Sequence, residues 1–142
     1  MKFFFCLVLT LILESIFAPA FAHLQFDSIQ LAQLEKKNIC TNCDLSYASI
    51  HMNHGKAILN NTNLSNIKPI DGVFNFSGGS FINANLTNAF LFSADFSGAV
   101  LTNAHFDGAN LQQANLYGAI DANLTNANIC DATLPNGSKG PC

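Results

Sequence analysis

Apolar and polar residues follow a period of five over residues 74–118 of this chain. The segment divides into nine consecutive units, from FNFSG at its start to ANLYG at its end. The central position of every unit is Leu or Phe: Phe76, Phe81, Leu86, Leu91, Phe96, Leu101, Phe106, Leu111 and Leu116. Ala stands two residues before the centre in seven of the nine units, so a small and a large apolar residue recur at fixed spacing. This period predicts a repeated structural unit.

The same unit recurs on both sides of this run. After a three-residue insertion, residues 119–121, the count resumes with the centres Leu124, Ile129 and Leu134. Upstream, Leu45, Ile50 and Leu64 are the centres of three further units. The pattern is broken at residues 53–57 and again at residues 67–73, which include Pro69 and Gly72, so we expect irregular coils near residues 53–73. The repeat region is therefore predicted to cover residues 40–136.

A period of five indicates a strand that bends once per unit. Side chains alternate between the two sides of a strand, so if the Ala and the Leu or Phe both point inward, two outward residues must follow. Regular bends of one hand wind a chain into a solenoid whose stacked coils pair as parallel strands. A helix needs apolar spacings of three and four, and a period of five forms no apolar stripe along it. The sequence predicts an all-β solenoid.

The units ANLTN, ADFSG and ANLYG resemble the pentapeptide-repeat family, whose consensus is Ala, then Asp or Asn, then Leu or Phe, then two variable residues. The resemblance implies a right-handed quadrilateral β-helix with four repeats in each coil, and hence four to five coils here. Two flanking segments are similar to a group within that family. The first is Cys40-Thr41-Asn42-Cys43-Asp44-Leu45-Ser46, and the second runs from Cys130 to Gly137. Residues 137–142 form a C-terminal tail that ends at Cys142.

The segment before the first coil has the signals of a short helix. Over residues 26–38, Asp27 is suited to cap the helix, with Gln30 three residues later as in a capping box, and Phe26 can pack on Leu31. Lys36 and Lys37 fall where a helix C-terminus favours cations. Because an open solenoid end exposes its core and its strand edges, we expect residues 23–39 to form an N-terminal helical cap.

The N-terminal segment, positions 1–22, has the pattern of a secretory signal peptide. Lys2 precedes a largely apolar stretch from Phe3 to Phe17, and Ala20-Phe21-Ala22 is the small-x-small pattern that signal peptidase cleaves. The apolar stretch is shorter than the ~20 residues that span a membrane. We expect cleavage before His23, no membrane contact afterwards, and a periplasmic or extracellular location.

Cleavage of the signal peptide removes Cys6 and leaves four cysteines: Cys40, Cys43, Cys130 and Cys142. Export makes disulfides their expected state. Cys130 and Cys142 are predicted to form one bridge, because the turn-rich stretch between them, with Pro135 and Asn136-Gly137, can double back. Cys40 and Cys43 are predicted to form a second. The alternative is a metal site made by Cys40, Cys43, His51 and His54. The spacings fit a zinc finger poorly, so no cofactor is expected.

Charge and motif content indicate a binding or structural module and no enzyme. Only 11% of residues are charged, the net charge is -3 and Arg is absent, so no basic surface exists for a nucleic-acid partner. No nucleophile elbow, phosphate loop or paired catalytic carboxylates occur. The Asn and Asp residues that precede the centres are expected to bond the backbone at the bends. We expect a protein partner, a second copy of the chain included.

The resemblance to the pentapeptide-repeat family also allows a second function, DNA mimicry. Some pentapeptide-repeat proteins resemble duplex DNA in shape and charge and bind type II topoisomerases, which makes a DNA-mimic modulator of a topoisomerase the alternative. Export separates this chain from such a target. Its acids Asp95, Asp107, Asp121 and Asp131 are also not spaced by multiples of four repeats, so they form no column like a row of phosphates.

The unit Ala89-Phe90-Leu91-Phe92-Ser93 is the candidate partner surface. Leu91 is the inward centre, so alternation directs both Phe90 and Phe92 outward. Rigid aromatic side chains are frequent anchors of protein interfaces. The alternative is that a neighbouring segment, such as residues 67–73, covers the two rings.

Overall fold

The computed structural model describes residues 28–142 apart from residues 52 and 54. The predicted signal peptide, residues 1–22, therefore lies outside the described residues, as do Phe26 and Asp27. The named elements are helix α1 (Ser28–Lys37) and strands β1 (Ser49–Ile50) and β2 (Lys68–Pro69), which pair in parallel. The other pairings are single parallel bridges along the solenoid, with one antiparallel bridge near its C-terminal end. Among the described residues, no helix is long and apolar enough to cross a membrane.

The bridges define stacked coils of four repeats. Ile39 pairs with Ile58, Ile58 with Ser80, Ser80 with Val100 and Val100 with Ile120, so each pairing marks one full turn of the solenoid. The turn that begins at Ile58 is the longest of the four, and the turn that begins at Ile39 is the shortest. Neighbouring coils are joined by backbone hydrogen bonds: the amide of Val100, for example, donates to the carbonyl of Gly79 at 2.9 Å. Four five-residue units per turn give the coil four sides.

Small and large apolar side chains fill the interior as the period requires. All nine centres from Phe76 to Leu116 are at most 1% exposed, and the inward Ala positions beside them are nearly as well buried. Phe76, Phe81, Phe96 and Phe106 form a chain of ring contacts with centroids 4.9 to 5.8 Å apart. Leu124, Ile129 and Leu134, in the last coil, are only partly buried.

The bends are stabilised by the residues next to each centre. The second residue after a centre has a positive φ, as at Asn83 (56°) and Gly98 (64°). The Asn or Asp before the centre accepts a hydrogen bond from the backbone two residues later: Asp95 Oδ1 from the amide of Ser97 at 2.8 Å, and Asn85 Oδ1 from that of Thr87 at 3.0 Å. The expected role of these Asn and Asp side chains at the bends is confirmed.

The coil lengths correct one interpretation of the sequence. Residues 119–121 are not an insertion, because Asn110 pairs with Asn128 and Asn115 with Thr133, a shorter interval than the one from Phe90 to its partner Asn110. One side of the last coil is therefore two residues shorter than the same side of the coil before it. The expected irregularity before residue 74 appears as the longest coil, in which the chain bulges between Ile70 and Val73.

Helix α1 lies against the first coil. Leu34 is fully buried, and the Gln30 side-chain oxygen accepts a hydrogen bond from the backbone amide of Asp44 at 2.7 Å. The sulfur of Cys40 lies 3.3 Å from the carbonyl oxygen of Gln30. The Gln30 side chain therefore bonds the first coil of the solenoid. The capping-box pattern had instead predicted that it would bond the backbone at the start of the helix.

Candidate functional site

The outward residues form four walls, one for each side of the coil. We name each wall by the column of residues that precede the centres. Wall A carries Ile39, Ile58, Ser80, Val100 and Ile120; wall B carries Asp44, Asn63, Asn85, His105 and Asn123; wall C carries Ser49, Lys68, Phe90, Asn110 and Asn128; wall D carries Asn53, Asn75, Asp95, Asn115 and Thr133. Stacked coils lie about 4.8 Å apart, so every column is a ladder of closely spaced side chains.

Walls B and D are largely polar ladders whose groups bond one another. On wall D, Asn115 donates to Asp95 at 3.2 Å, and on wall B, Asn85 donates to Asn63 at 3.3 Å. Asp107 accepts from Asn126 at 3.0 Å and Asp121 from Thr102 at 2.8 Å. Asp95, Asp107 and Asp121 thus bond amides and hydroxyls, and not other acids, in a neighbouring coil.

Wall C carries the candidate aromatic pair. Phe90 is 57% exposed and Phe92 48% exposed, on either side of the buried centre Leu91. The preceding coil reaches wall C at Ile67, whose carbonyl accepts from the amide of Phe90 at 2.9 Å, but it leaves both rings open to solvent. Ile70, 48% exposed, lies in the bulge that follows on that coil. The two rings form an open aromatic surface on wall C.

A groove opens beside the bulge of the second coil. It has a volume of about 510 Å³ and is lined by residues that include His51, Asp71, Val73 and Asp95. His51 Nδ1 lies 3.4 Å from Asp71 Oδ2, and both side chains are well exposed. The Asp95 carboxylate is already engaged by Ser97 and Asn115. The groove presents no set of unpaired, buried polar groups among its described residues that would single out a small ligand.

The alternative metal site would use Cys40, Cys43, His51 and His54. Of these, the structure brings together Cys40 and Cys43, whose sulfurs lie at bonding distance, 1.89 Å. His51 instead faces Asp71, and His54 lies outside the described residues. In the described part of the chain, the one cluster of three metal-ligating side chains is Cys130, Asp131 and Cys142. The sulfurs of Cys130 and Cys142 are themselves 1.90 Å apart, so neither thiol is free to bind a metal.

Wall A is a surface that the sequence analysis missed. Ile39, Ile58 and Ile120 are 45%, 39% and 51% exposed, and Val100 is partly exposed between them. The signal was present: in most repeats the residue before the centre is Asn, Asp or His, but in every fourth it is Ile, Val or Ser. Only the register of the coils shows that these exceptions form one column.

A chain wound into four-sided parallel coils with one bend per five residues is a quadrilateral β-solenoid. Its residues 74–136 match the family model described as pentapeptide repeats, in eight copies. Residues 74–136 of this chain are therefore pentapeptide repeats, as their sequence had indicated. Proteins of this family fold as right-handed quadrilateral β-helices, which confirms that part of the predicted fold.

Several solved structures are similar to this chain. A pentapeptide repeat protein from the thylakoid lumen of Arabidopsis thaliana is 26% identical over 70% of this chain and 68% of its own, with a TM-score of 0.43. The pentapeptide repeat protein Rfr23 from the cyanobacterium Cyanothece 51142 is 24% identical over 75% and 90%, with a TM-score of 0.35. HetL, involved in heterocyst differentiation regulation in Nostoc sp. strain PCC 7120, is 30% identical over 72% and 40%, with a TM-score of 0.24. No curated protein matches the chain.

Proposed function

We propose that this chain is an exported, non-catalytic module that binds a protein partner through wall C. The observation that carries the proposal is the exposure of Phe90 and Phe92 side by side on a wall whose backbone is bonded to both neighbouring coils. A Phe side chain on a fixed backbone has only two χ angles to order, so it loses little conformational entropy when a partner covers it. Such side chains supply a large share of the binding energy in protein interfaces.

The surroundings of the pair favour a protein as the partner. Lys68 stands on the same wall in the preceding coil, and Asn110 pairs with Phe90 in the following coil. An apolar centre with a polar rim is the usual layout of a protein–protein interface. The acids of the repeats form no column. The surface therefore lacks the row of negative charges by which a DNA mimic would bind a DNA-binding protein.

A pair of matched variants tests the proposed surface. A photo-crosslinking residue in place of Gln112 lies beside Phe90 and Phe92, on the following coil. With both rings intact, this protein should form one discrete adduct in the extracytoplasmic fraction of its host. Phe90→Ser with Phe92→Ser should reduce that adduct at least about tenfold, since interface anchors are worth about 2 kcal/mol or more each. The matched control is Tyr117→Ser on wall D, which removes another exposed ring and should leave the adduct unchanged.

The melting temperature decides how a loss of the adduct is interpreted. The double variant should melt within about 2 °C of the native protein, because both rings are exposed and surface substitutions cost about 0.5 kcal/mol or less. If the double variant melts several degrees lower and keeps the adduct, the rings are structural and wall C is not the binding surface.

Export has its own test. Expression of the full chain followed by fractionation and N-terminal sequencing should give an extracytoplasmic product that begins at His23. A product retained in the cytoplasm with Met1 or Lys2 at its start would overturn the proposed location and restore the topoisomerase alternative. Inhibition of gyrase supercoiling would then be the next measurement.

A further inference from the structure

Wall A is an apolar ladder that crosses the whole solenoid. Its column reads Ile39, Ile58, Ser80, Val100 and Ile120 from the first coil to the last. The residues after the centres add a second column, Thr41, Asn60, Ile82 and Thr102, which continues in the last coil with Asp121, whose carboxylate accepts a hydrogen bond from Thr102. Asp121 is the one charged residue in the two columns. The wall is therefore flat, rich in β-branched side chains and almost free of charge, unlike walls B and D.

The order of residue classes along this ladder is the same in both directions: aliphatic, aliphatic, Ser, aliphatic, aliphatic. Two large aliphatic residues lie on each side of Ser80, which occupies the middle coil. A surface that meets a copy of itself across a two-fold axis must be complementary to itself: where residue i meets residue j of the copy, residue j also meets residue i of the copy. A ladder with this mirrored order fulfils that condition when the axis passes through its centre.

We propose that wall A is a self-association surface, and that its occupant is wall A of a second copy in antiparallel orientation. The axis passes through the middle coil at Ser80. Ile58 then meets Val100 of the partner subunit, and Ile39 meets Ile120 of the partner subunit. Ser80 meets its own equivalent, and the neighbouring Ile82 side chains meet across the axis beside the small serines. A parallel arrangement would instead set the aliphatic column against the column that carries Thr41, Asn60 and Asp121.

The distribution of charge favours the same orientation. Lys36 and Lys37 end helix α1, two to three residues before Ile39, while Asp121 directly follows Ile120. Antiparallel docking brings the first coil of one copy beside the last coil of the other. The two lysines then come within about a Debye length, ~10 Å at 0.1 M salt, of the partner's Asp121. Opposite charges at both ends of the interface help to select this alignment.

The area of the wall sets the strength of the association. Five coils at ~4.8 Å and five residues at ~3.3 Å give a flat area of about 400 Å² per copy. This is about half of the ~800 Å² per partner that a standard stable interface buries, so the dimer should be weak and concentration-dependent. A dissociation constant in the micromolar range or weaker is expected.

Charge substitution across the axis tests the specific pairing. In sedimentation equilibrium over a dilution series, Ile58→Lys alone and Val100→Glu alone should each raise the dissociation constant at least about tenfold, because each places an unpaired charge in the interface. Mixing the two variants should restore association, since one mixed contact then joins a lysine to a glutamate and the other keeps the native pair. The matched control is Phe90→Lys on wall C, which should leave the dissociation constant unchanged.

Cysteine crosslinking locates the axis. Ser80→Cys should form a disulfide-linked dimer under mild oxidation, because each residue 80 meets its equivalent across the axis. Asn85→Cys, one repeat later on wall B, should remain monomeric under the same conditions. Both variants should remain folded, and each should melt several degrees lower than the native protein, because Ser80→Cys loses the hydrogen bond to Asn60 and Asn85→Cys loses those with Thr87 and Asn63.

The outcomes separate this inference from the proposed function. A protein that stays monomeric up to about 1 mM, or mixed charge variants that fail to associate while each remains folded, would overturn the wall A dimer. Loss of self-association with Phe90→Lys and not with the wall A variants would also overturn it, and would place the contact on wall C. The wall A variants should keep the crosslinked adduct at Gln112, so either proposal can fail alone.

Discussion

At the scale of single residues, the position within the repeat sets the environment of a side chain. Thr62 illustrates this, because it occupies an inward slot that elsewhere holds Ala and is only 1% exposed. Its hydroxyl donates to the backbone carbonyl of Cys40, so the buried polar group is satisfied. The residue at each bend has a different constraint, a positive φ, and Asn and Gly are frequent there because they tolerate that conformation.

Substitution of Gly98 tests this constraint. Gly98 has a φ of 64°, and a Cβ added there would meet no atom within 4 Å, so only the backbone conformation opposes a side chain. Gly98→Asn should change the free energy of unfolding by less than about 0.5 kcal/mol, whereas Gly98→Ile should lower it by about 1–2 kcal/mol. Urea denaturation measures both. Equal losses for Asn and Ile would show that space, and not φ, limits this position.

At the scale of elements, the two ends of the solenoid are closed differently. Helix α1 covers the first coil with Leu34 and bonds it through Gln30. At the other end, Thr133 pairs with Lys139 in an antiparallel bridge as the tail doubles back, and the sulfurs of Cys130 and Cys142 meet. A backbone hydrogen bond from Gly140 to the carbonyl of Ala132, 2.8 Å long, holds the same tail. Both closures place backbone groups of the terminal coils in hydrogen bonds that an open end would leave unpaired.

The C-terminal closure should depend on a disulfide. Mass spectrometry of unreduced protein should show Cys130 and Cys142 as one crosslinked pair. In the chain-entropy model a loop of this length contributes roughly 3 kcal/mol, so Cys130→Ser with Cys142→Ser should lower the free energy of unfolding by about that amount. Ser138→Ala in the exposed tail is the control and should cost less than about 1 kcal/mol. Free thiols at both positions in the air-oxidised native protein would contradict the prediction.

At the scale of the whole molecule, the core is deepest in the middle coils and thins at the C-terminal end. Leu101 is fully buried with a coil on either side, whereas Leu124, in the last coil, is only partly buried. Each coil of a solenoid contacts only its neighbours, so a coil with one neighbour has fewer packing partners. Stability is therefore expected to fall from the centre towards the C-terminus.

The same substitution at two depths measures this gradient. Leu101→Ala should lower the free energy of unfolding by about 2–5 kcal/mol, because it leaves a cavity among side chains that cannot close around it. Leu124→Ala should cost less than half as much, since part of that side chain is already in water. Thermal or urea unfolding supplies both values. Equal costs would mean that the last coil is packed as tightly as the middle coils.

The sequence by itself determined the solenoid, its inward register and the chemistry of its bends. These features are local: alternation along a strand fixes that Leu91 points inward and Phe90 outward, and a bend every five residues follows from the spacing of the apolar centres. The resemblance to pentapeptide repeats followed from the same units. Residues 119–121 looked like an insertion in this local pattern, because counting residues cannot distinguish an added segment from a shortened side.

The tertiary structure decided which residues become neighbours in different coils. Ile39 and Ile58 share a column with Val100 and Ile120 only because the first two coils differ in length from the later ones, and those lengths depend on how the irregular segment before Phe74 is accommodated. Hydrogen bonds between residues one full coil apart fix that register, and no local propensity encodes them. Wall A and the openness of the Phe90–Phe92 pair are therefore properties of the stack of coils.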